Sequence, residues 1–294
     1  MRGNLQRVDA PVDKSSAAAY LPLMPELPEV ETTVRGLERF LLGRRISHVQ
    51  LNRPDMRFAF PAGLVQSLVG ATVTSLGRRA KYGLIHTDRD TTLIFHLGMS
   101  GTWRIDPAAA DKHDHLVLDA GDHRFTLNDP RRFGFVDLVD TPKLEQWPAF
   151  AVMGPEPLGD DLDAAHLHRA FAGRSQAIKL MLLDQKVVAG LGNIYVCEAL
   201  FASGIDPRKA AGKVSKPALA RLVPAIRAVL MQSIADGGST LRDYMQPDGE
   251  LGYFATRFAV YGREGEVCLH DDGGVIRRIV QGGRSTWFCP KCQK

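Results

Sequence analysis

The period of the apolar positions changes twice along this chain, and the changes divide it. Val30, Val34, Leu37 and Leu41 recur at helical spacing, predicting an amphipathic helix behind Pro25 and Pro28. From about Ile46 to Val139 the pattern shortens to strand-like runs. Residues 92–96, 115–118 and 123–127 are β-rich and bounded by Gly, Asp or Pro. Several such runs in succession predict an antiparallel sandwich or barrel. Helical periodicity returns over 164–172, 177–184, 194–203 and 217–236, and Gly237-Gly238 stops the last helix. Residues 151–163, rich in Pro, Gly and Asp, read as a linker. The chain is thus expected to be α+β: a leader (1–24), a β-sandwich domain with a flanking helix (25–150), a helical domain (151–251) and a terminal β-hairpin (252–294).

Composition narrows the class. No apolar run stands out at the ~20 residues a membrane span needs. The leader has no apolar h-region and carries Asp9 and Asp13, so it reads as an upstream start or an extension rather than a targeting signal. A net charge of +4 permits nucleic-acid binding without requiring it. Basic residues concentrate at Arg277, Arg278 and Arg284, and again at Arg78, Arg79 and Lys81. Of four cysteines, Cys268, Cys289 and Cys292 cluster near the end, which points to metal in a reducing compartment. Cys197 falls in an apolar helical pattern and reads as packing.

Met24-Pro25-Glu26-Leu27-Pro28-Glu29-Val30-Glu31 has two readings. One is a proline-stiffened entry to a helix with acidic residues in its first turn. In the other, translation begins at Met24, the methionine is removed, and Pro25 carries a free secondary amine. Such an amine attacks an aldehyde-level carbon, such as C1′ of a sugar losing its base, and forms an iminium. An α-amino group titrates near pH ~8, against ~10.4 for lysine, so a usable fraction is unprotonated at neutral pH. Glu26, next in the chain, is suited to protonate the sugar ring oxygen. Gly190-Leu191-Gly192-Asn193 lacks the dinucleotide fingerprint and no P-loop is present; a Gly-rich turn opening a helix suits a phosphate instead.

The opening octapeptide and five later blocks resemble bacterial formamidopyrimidine-DNA glycosylases, over residues 24–294. The blocks are Arg78-Arg79-Ala80-Lys81-Tyr82, His96-Leu97-Gly98-Met99-Ser100-Gly101, Asn128-Asp129-Pro130-Arg131-Arg132-Phe133-Gly134, Gly190-Leu191-Gly192-Asn193-Ile194-Tyr195 and Gly283-Arg284-Ser285-Thr286-Trp287-Phe288-Cys289. The resemblance implies a bifunctional enzyme that excises oxidised purines (8-oxoguanine, formamidopyrimidines) through a Pro25 Schiff base and cuts the strand by β,δ-elimination. It implies Glu26 as proton donor, with Lys81 and Arg284 at the lesion phosphates assisting elimination. Flipping a nucleotide costs a few kcal/mol and leaves a hole. Met99, Arg131 and Phe133 match the family's void-filling trio, and His113 matches a DNA-contacting histidine. Asn193, Lys179 and Arg174 would clamp the backbone from a helix–two-turn–helix element, and loop 239–254 would close over the extruded base. The implied partner is double-stranded DNA containing oxidised bases or abasic sites, bound by a monomer in the bacterial cytoplasm, at the nucleoid, with no membrane.

The family's zinc ribbon has two Cys-x-x-Cys pairs. Here Cys289-Pro290-Lys291-Cys292 is intact, but the first pair reads Cys268-Leu269-His270-Asp271. One structural zinc is expected. His270, Asp271 or Asp272 could complete its four ligands, and ligand chemistry favours His270 with Cys268, Cys289 and Cys292. Two rival functions remain open: an endonuclease VIII-like glycosylase for oxidised pyrimidines, and a non-catalytic DNA-binding protein if Pro25 is not N-terminal.

Overall fold

The computed structural model describes residues 24–239 and 257–294. The expectations for the leader 1–23 and for the loop beyond Ser239 fall outside these residues. Helix α1 (Leu27–Leu41) carries Pro28 in its first turn, where a missing N–H costs nothing. Its stripe of Leu27, Val30, Val34, Leu37 and Leu41 is buried.

Eight strands follow: β1 (Ile46–Leu51), β2 (Val73–Arg79), β3 (Tyr82–Thr87), β4 (Thr91–His96), β5 (Thr102–Ile105), β6 (Asp114–Ala120), β7 (His123–Asn128) and β8 (Phe135–Asp140), with a short helix α2 (Leu64–Leu68) between the first two. They form two four-stranded antiparallel sheets, ordered β1-β6-β7-β5 and β2-β3-β4-β8. Leu116, Leu118 and Phe125 of one sheet share an apolar core with Val73, Leu93 and Phe95 of the other and with α1. Phe95 meets Trp103 edge-on across that core, their centroids 5.6 Å apart. This is the expected sandwich with its flanking helix.

The second half is helical: α3 (Ala164–Phe171), α4 (Ile178–Leu182), α5 (Asn193–Ala202) and α6 (Lys216–Ala235). Asp163 caps α3 by accepting from His166 N at 2.6 Å. From Ile194 to Phe201 every residue of α5 is buried, making it the axis of this half. The 20 residues of α6 are long and apolar enough to cross a membrane by length and composition, a run the sequence reading passed over. Here α6 packs on α1, α3 and α5, and its Leu222, Ile226 and Leu230 lie in the core. Strands β9 (Arg277–Gln281) and β10 (Arg284–Phe288) form the terminal hairpin. Leu27 belongs to this second core while Val30, Val34, Leu37 and Leu41 lie in the sandwich core, so α1 joins the two halves.

Candidate active site

Glu26 precedes α1 and is only 2 % exposed. Its Oε1 accepts from Ile194 N, in the first turn of α5, at 3.0 Å, whereas Oε2 has no hydrogen-bond partner among the described residues. Burial pushes its carboxyl from 4.5 up to about 7; Lys81 and the α5 backbone N–H groups oppose the rise, and Glu29 adds to it. A carboxyl in this range holds a proton near neutrality and can release it. Glu29 fixes the approach: its carboxylate accepts from Glu26 N at 2.9 Å, from the Tyr195 hydroxyl, and from Ser239 N and Oγ at 2.9 and 2.7 Å. Pro25 is buried beside this network, its nitrogen bonded to Met24.

Both glycines of the turn before α5 are explained by this approach. A Cβ on Gly192 would lie 2.1 Å from the Glu26 carboxyl carbon, and one on Gly190 would lie 2.7 Å from Leu27 Cδ1. The N-terminus of α5 therefore engages a carboxylate of the protein itself, rather than the phosphate its sequence suggested.

Glu26 lines a cavity of about 470 Å³ together with Met24, Lys81, Met99, Asn193 and Arg284. Lys81 follows Ala80, which at φ 53° makes the tight turn between β2 and β3. The lysine is buried rather than solvated, and its pKa is lowered by desolvation and by Arg284, with Glu26 opposing. Its basic neighbours are engaged within the protein: Arg78 pairs with Glu31 and Glu156 and Arg79 with Glu156, each at 2.9 Å. They clamp the Lys81 turn to the linker. His96 and Tyr261 also line the cavity, and sequence reasoning gave neither a role. Burial, with Lys81 and Arg57, lowers the His96 pKa to about 4, so the ring is neutral. Tyr261 OH accepts from Asn193 Nδ2 at 3.3 Å, and that amide also donates to Ser285 O at 2.9 Å.

Beside the cavity, two loops present Met99, Arg131 and Phe133. Phe133 is 43 % exposed and the Arg131 guanidinium lies 4.9 Å over its ring centroid. Asp129, fully buried, organises both loops. Its carboxylate accepts from Ser100 Oγ at 2.6 Å, Arg131 N at 3.2 Å and Gly134 N at 2.8 Å. Gly98, at φ 65°, lets the loops meet, since a Cβ there would sit 2.3 Å from Gly134 N. Asp129 stood inside a recognised motif, but only the folded chain shows its task.

The remaining candidates scatter. His113 is half-buried on the β6 approach and Arg174 is exposed between α3 and α4; neither lines the cavity. Lys179 corrects the sequence reading. It is fully buried, donating to Ser285 O at 2.9 Å and Thr286 Oγ1 at 2.6 Å, so here it braces the hairpin that carries Arg284 instead of standing at the surface. Cys197 is buried packing, as expected, with its thiol pushed up to about 11 by burial.

The metal site departs from expectation in one ligand. Sγ of Cys268, Cys289 and Cys292 and a carboxylate oxygen of Asp272 all lie within 4.8 Å of one another. Cys268 Sγ and Cys292 Sγ are 3.8 Å apart, the edge of a tetrahedron with Zn–S bonds of ~2.3 Å. Gly274 closes the cradle, since a Cβ there would lie 2.5 Å from Cys289 Sγ. The residues fit one structural zinc. His270 is not among them: its ring stacks on Phe201 at 4.6 Å and 14°. Asp271, at φ 50°, turns the chain so that Asp272 comes round to the sulfurs.

Three family descriptions match the chain in order. They are the formamidopyrimidine-DNA glycosylase N-terminal domain over residues 24–136, its H2TH domain over 153–245, and the zinc finger found in FPG and IleRS over 273–294. A formamidopyrimidine-DNA glycosylase of Erythrobacter litoralis is 72 % identical over 271 residues, covering 92 % of this chain and all of that protein. One from Caulobacter vibrioides is 52 % identical with the same coverage. Among solved structures, Lactococcus lactis Fpg bound to abasic-site DNA matches with a TM-score of 0.84 at 35 % identity, covering 92 % of this chain and all of that one. The MutM (FPG) protein of Thermus thermophilus matches with a TM-score of 0.82 at 37 % identity, over 92 % of this chain and 98 % of that one.

Proposed function

We propose that this chain, which belongs to the formamidopyrimidine-DNA glycosylase family and is a DNA glycosylase of base excision repair with abasic-site lyase activity, uses Pro25 as nucleophile and Glu26 as proton donor. One observation carries the assignment of roles. A buried carboxyl with its pKa near 7 and one unpartnered oxygen lines a cavity that also holds Lys81 and Arg284. Once residues through Met24 are removed, the Pro25 amine attacks C1′ of the flipped nucleotide while Glu26 protonates the ring oxygen and the oxidised purine leaves. The iminium acidifies C2′, and β- then δ-elimination releases the strand ends. Lys81 and Arg284, on opposite halves of the molecule, hold the flanking phosphates and neutralise their charge. Met99, Arg131 and Phe133 occupy the vacated stack; Asn193, His113 and Arg174 position the backbone.

Division near residues 150 and 251 gives each role its scaffold. The sandwich carries nucleophile and wedge, the helical segment the clamp, and the zinc-closed hairpin Arg284. The setting is the cytoplasm of a bacterium, at the nucleoid. The test is borohydride trapping on an 8-oxoguanine:cytosine duplex, with the adducted peptide identified by mass. An adduct on an N-terminal Pro25 is expected. Trapping on Lys81, or equal trapping by a chain still carrying residues 1–24, overturns the assignment.

A further inference from the structure

Behind the wedge loop, residues 52–60 form a compact turn that the mechanism leaves unused. An antiparallel bridge joins Asp55 to Ala59, and Met56 is buried beneath it. The turn is fastened to the wedge: Arg57 N donates to Gly134 O at 3.1 Å, and Arg132 pairs with Asp55 at 3.2 Å. Two side chains face outward. Phe58 is 57 % exposed, edge-on to Phe135 at 5.4 Å. Arg57 lies over the Phe58 ring at 5.5 Å, and its guanidinium has no carboxylate or hydrogen-bond partner among the described residues. Its neighbours Arg53 and Arg132 both face Asp55, so the turn satisfies two arginines and leaves the third without a counter-ion. The pair repeats the chemistry of Arg131 over Phe133 on the adjoining loop. It also borders the cavity wall, because Phe135 stacks on His96 at 5.5 Å and 13°.

We propose that Arg57 and Phe58 form a second DNA contact beside the wedge, Arg57 binding a backbone phosphate and Phe58 packing against the neighbouring deoxyribose. An exposed guanidinium held over a ring, without a counter-ion, presents its N–H fork to an anion. Continuity with the wedge fixes which anion: DNA kinked over Phe133 passes the same surface. The turn would share the load of the bend, since Arg57 N holds the carbonyl of Gly134 next to the wedge residue. This inference rests on the glycosylase reading.

The experiment is fluorescence anisotropy with a duplex containing a tetrahydrofuran abasic analogue, over a salt series, for wild type, Arg57→Ala, Arg57→Lys and Phe58→Ala. Each phosphate neutralised contributes about 0.9 to the slope of log K against log salt. Arg57→Ala should flatten that slope by about 0.9 and weaken binding about eightfold at ~0.1 M salt. Arg57→Lys should restore the slope, which a purely structural role over Phe58 would not do. Phe58→Ala should weaken binding while keeping the wild-type slope. A wild-type slope for Arg57→Ala overturns the proposal alone. Wild type without preference for the lesion duplex removes the glycosylase reading on which it rests.

Discussion

Replacing Glu26 by Gln tests the acid where its environment makes a quantitative demand. The amide keeps the shape of the side chain and an oxygen for Ile194 N, and loses only the titration. The carboxyl rises from 4.5 to about 7 on folding, and at ~1.4 kcal/mol per unit this amounts to about 3 kcal/mol. The sign follows from which form the fold prefers. A raised carboxyl favours the protonated native state, so its stabilisation is full below the unfolded value and is lost as pH climbs to about 7. Wild type should therefore lose stability relative to Glu26→Gln across that window, by about 3 kcal/mol or roughly 6 °C in Tm. Calorimetry of both proteins between pH 4 and pH 8, compared as a difference, cancels every other titration. The same substitution should slow excision of 8-oxoguanine by ~10²–10⁴ and remove the alkaline limb expected of wild type above about pH 7. A preformed abasic site has no base to lose and should be cut with a smaller deficit. A Tm difference that stays flat across the window refutes the raised carboxyl and removes the basis for the proton donor.

Gly192→Ala places a methyl 2.1 Å from the Glu26 carboxyl carbon; excision in single-turnover assays should collapse while far-ultraviolet circular dichroism stays native. Asp129→Asn replaces one acceptor oxygen by an amide N–H that faces donors from both loops, and should cost about 2–3 kcal/mol. Denaturant titration measures that loss, and 2-aminopurine fluorescence opposite the lesion should show weaker flipping. Asp272→Ala should lower zinc content by mass spectrometry and blue-shift the bound-cobalt spectrum less than loss of a thiolate would. His270→Ala should leave both readouts unchanged, and zinc lost from His270→Ala alone would reverse the ligand assignment.

The sandwich was legible because period-two runs and turn residues act locally, and β6, β7 and β4 each contain their expected run. The exposed placement of Arg131 and Phe133 was legible for a similar reason, because Pro130 and Gly134 around them mark a loop. What a sequence does not encode locally is which group meets which across the fold. Lys179 looked like a phosphate clamp because its burial under β10 is set by residues more than a hundred positions away. The glycines before α5 looked like a phosphate cradle because their real neighbour, Glu26, lies 168 positions upstream of Ile194. His270 was the better ligand by chemistry, but one residue at positive φ decided the geometry for Asp272.

That the first turn of α5 holds Glu26 has a consequence for how such a chain is made. The carboxyl comes from the part of the chain synthesised first, and the helix end that orients it from the part synthesised much later. Until the helical half packs, the N-terminal segment offers a carboxyl of ordinary acidity with no wall behind it, and Arg284 is still absent. With Glu26 as proton donor, a nascent or half-unfolded chain would lack the buried acid that the proposed chemistry needs. On the proposed roles, competence to break a strand would arrive only with completion of the fold, because the contact that buries the Glu26 carboxyl joins the two ends of the chain's synthesis.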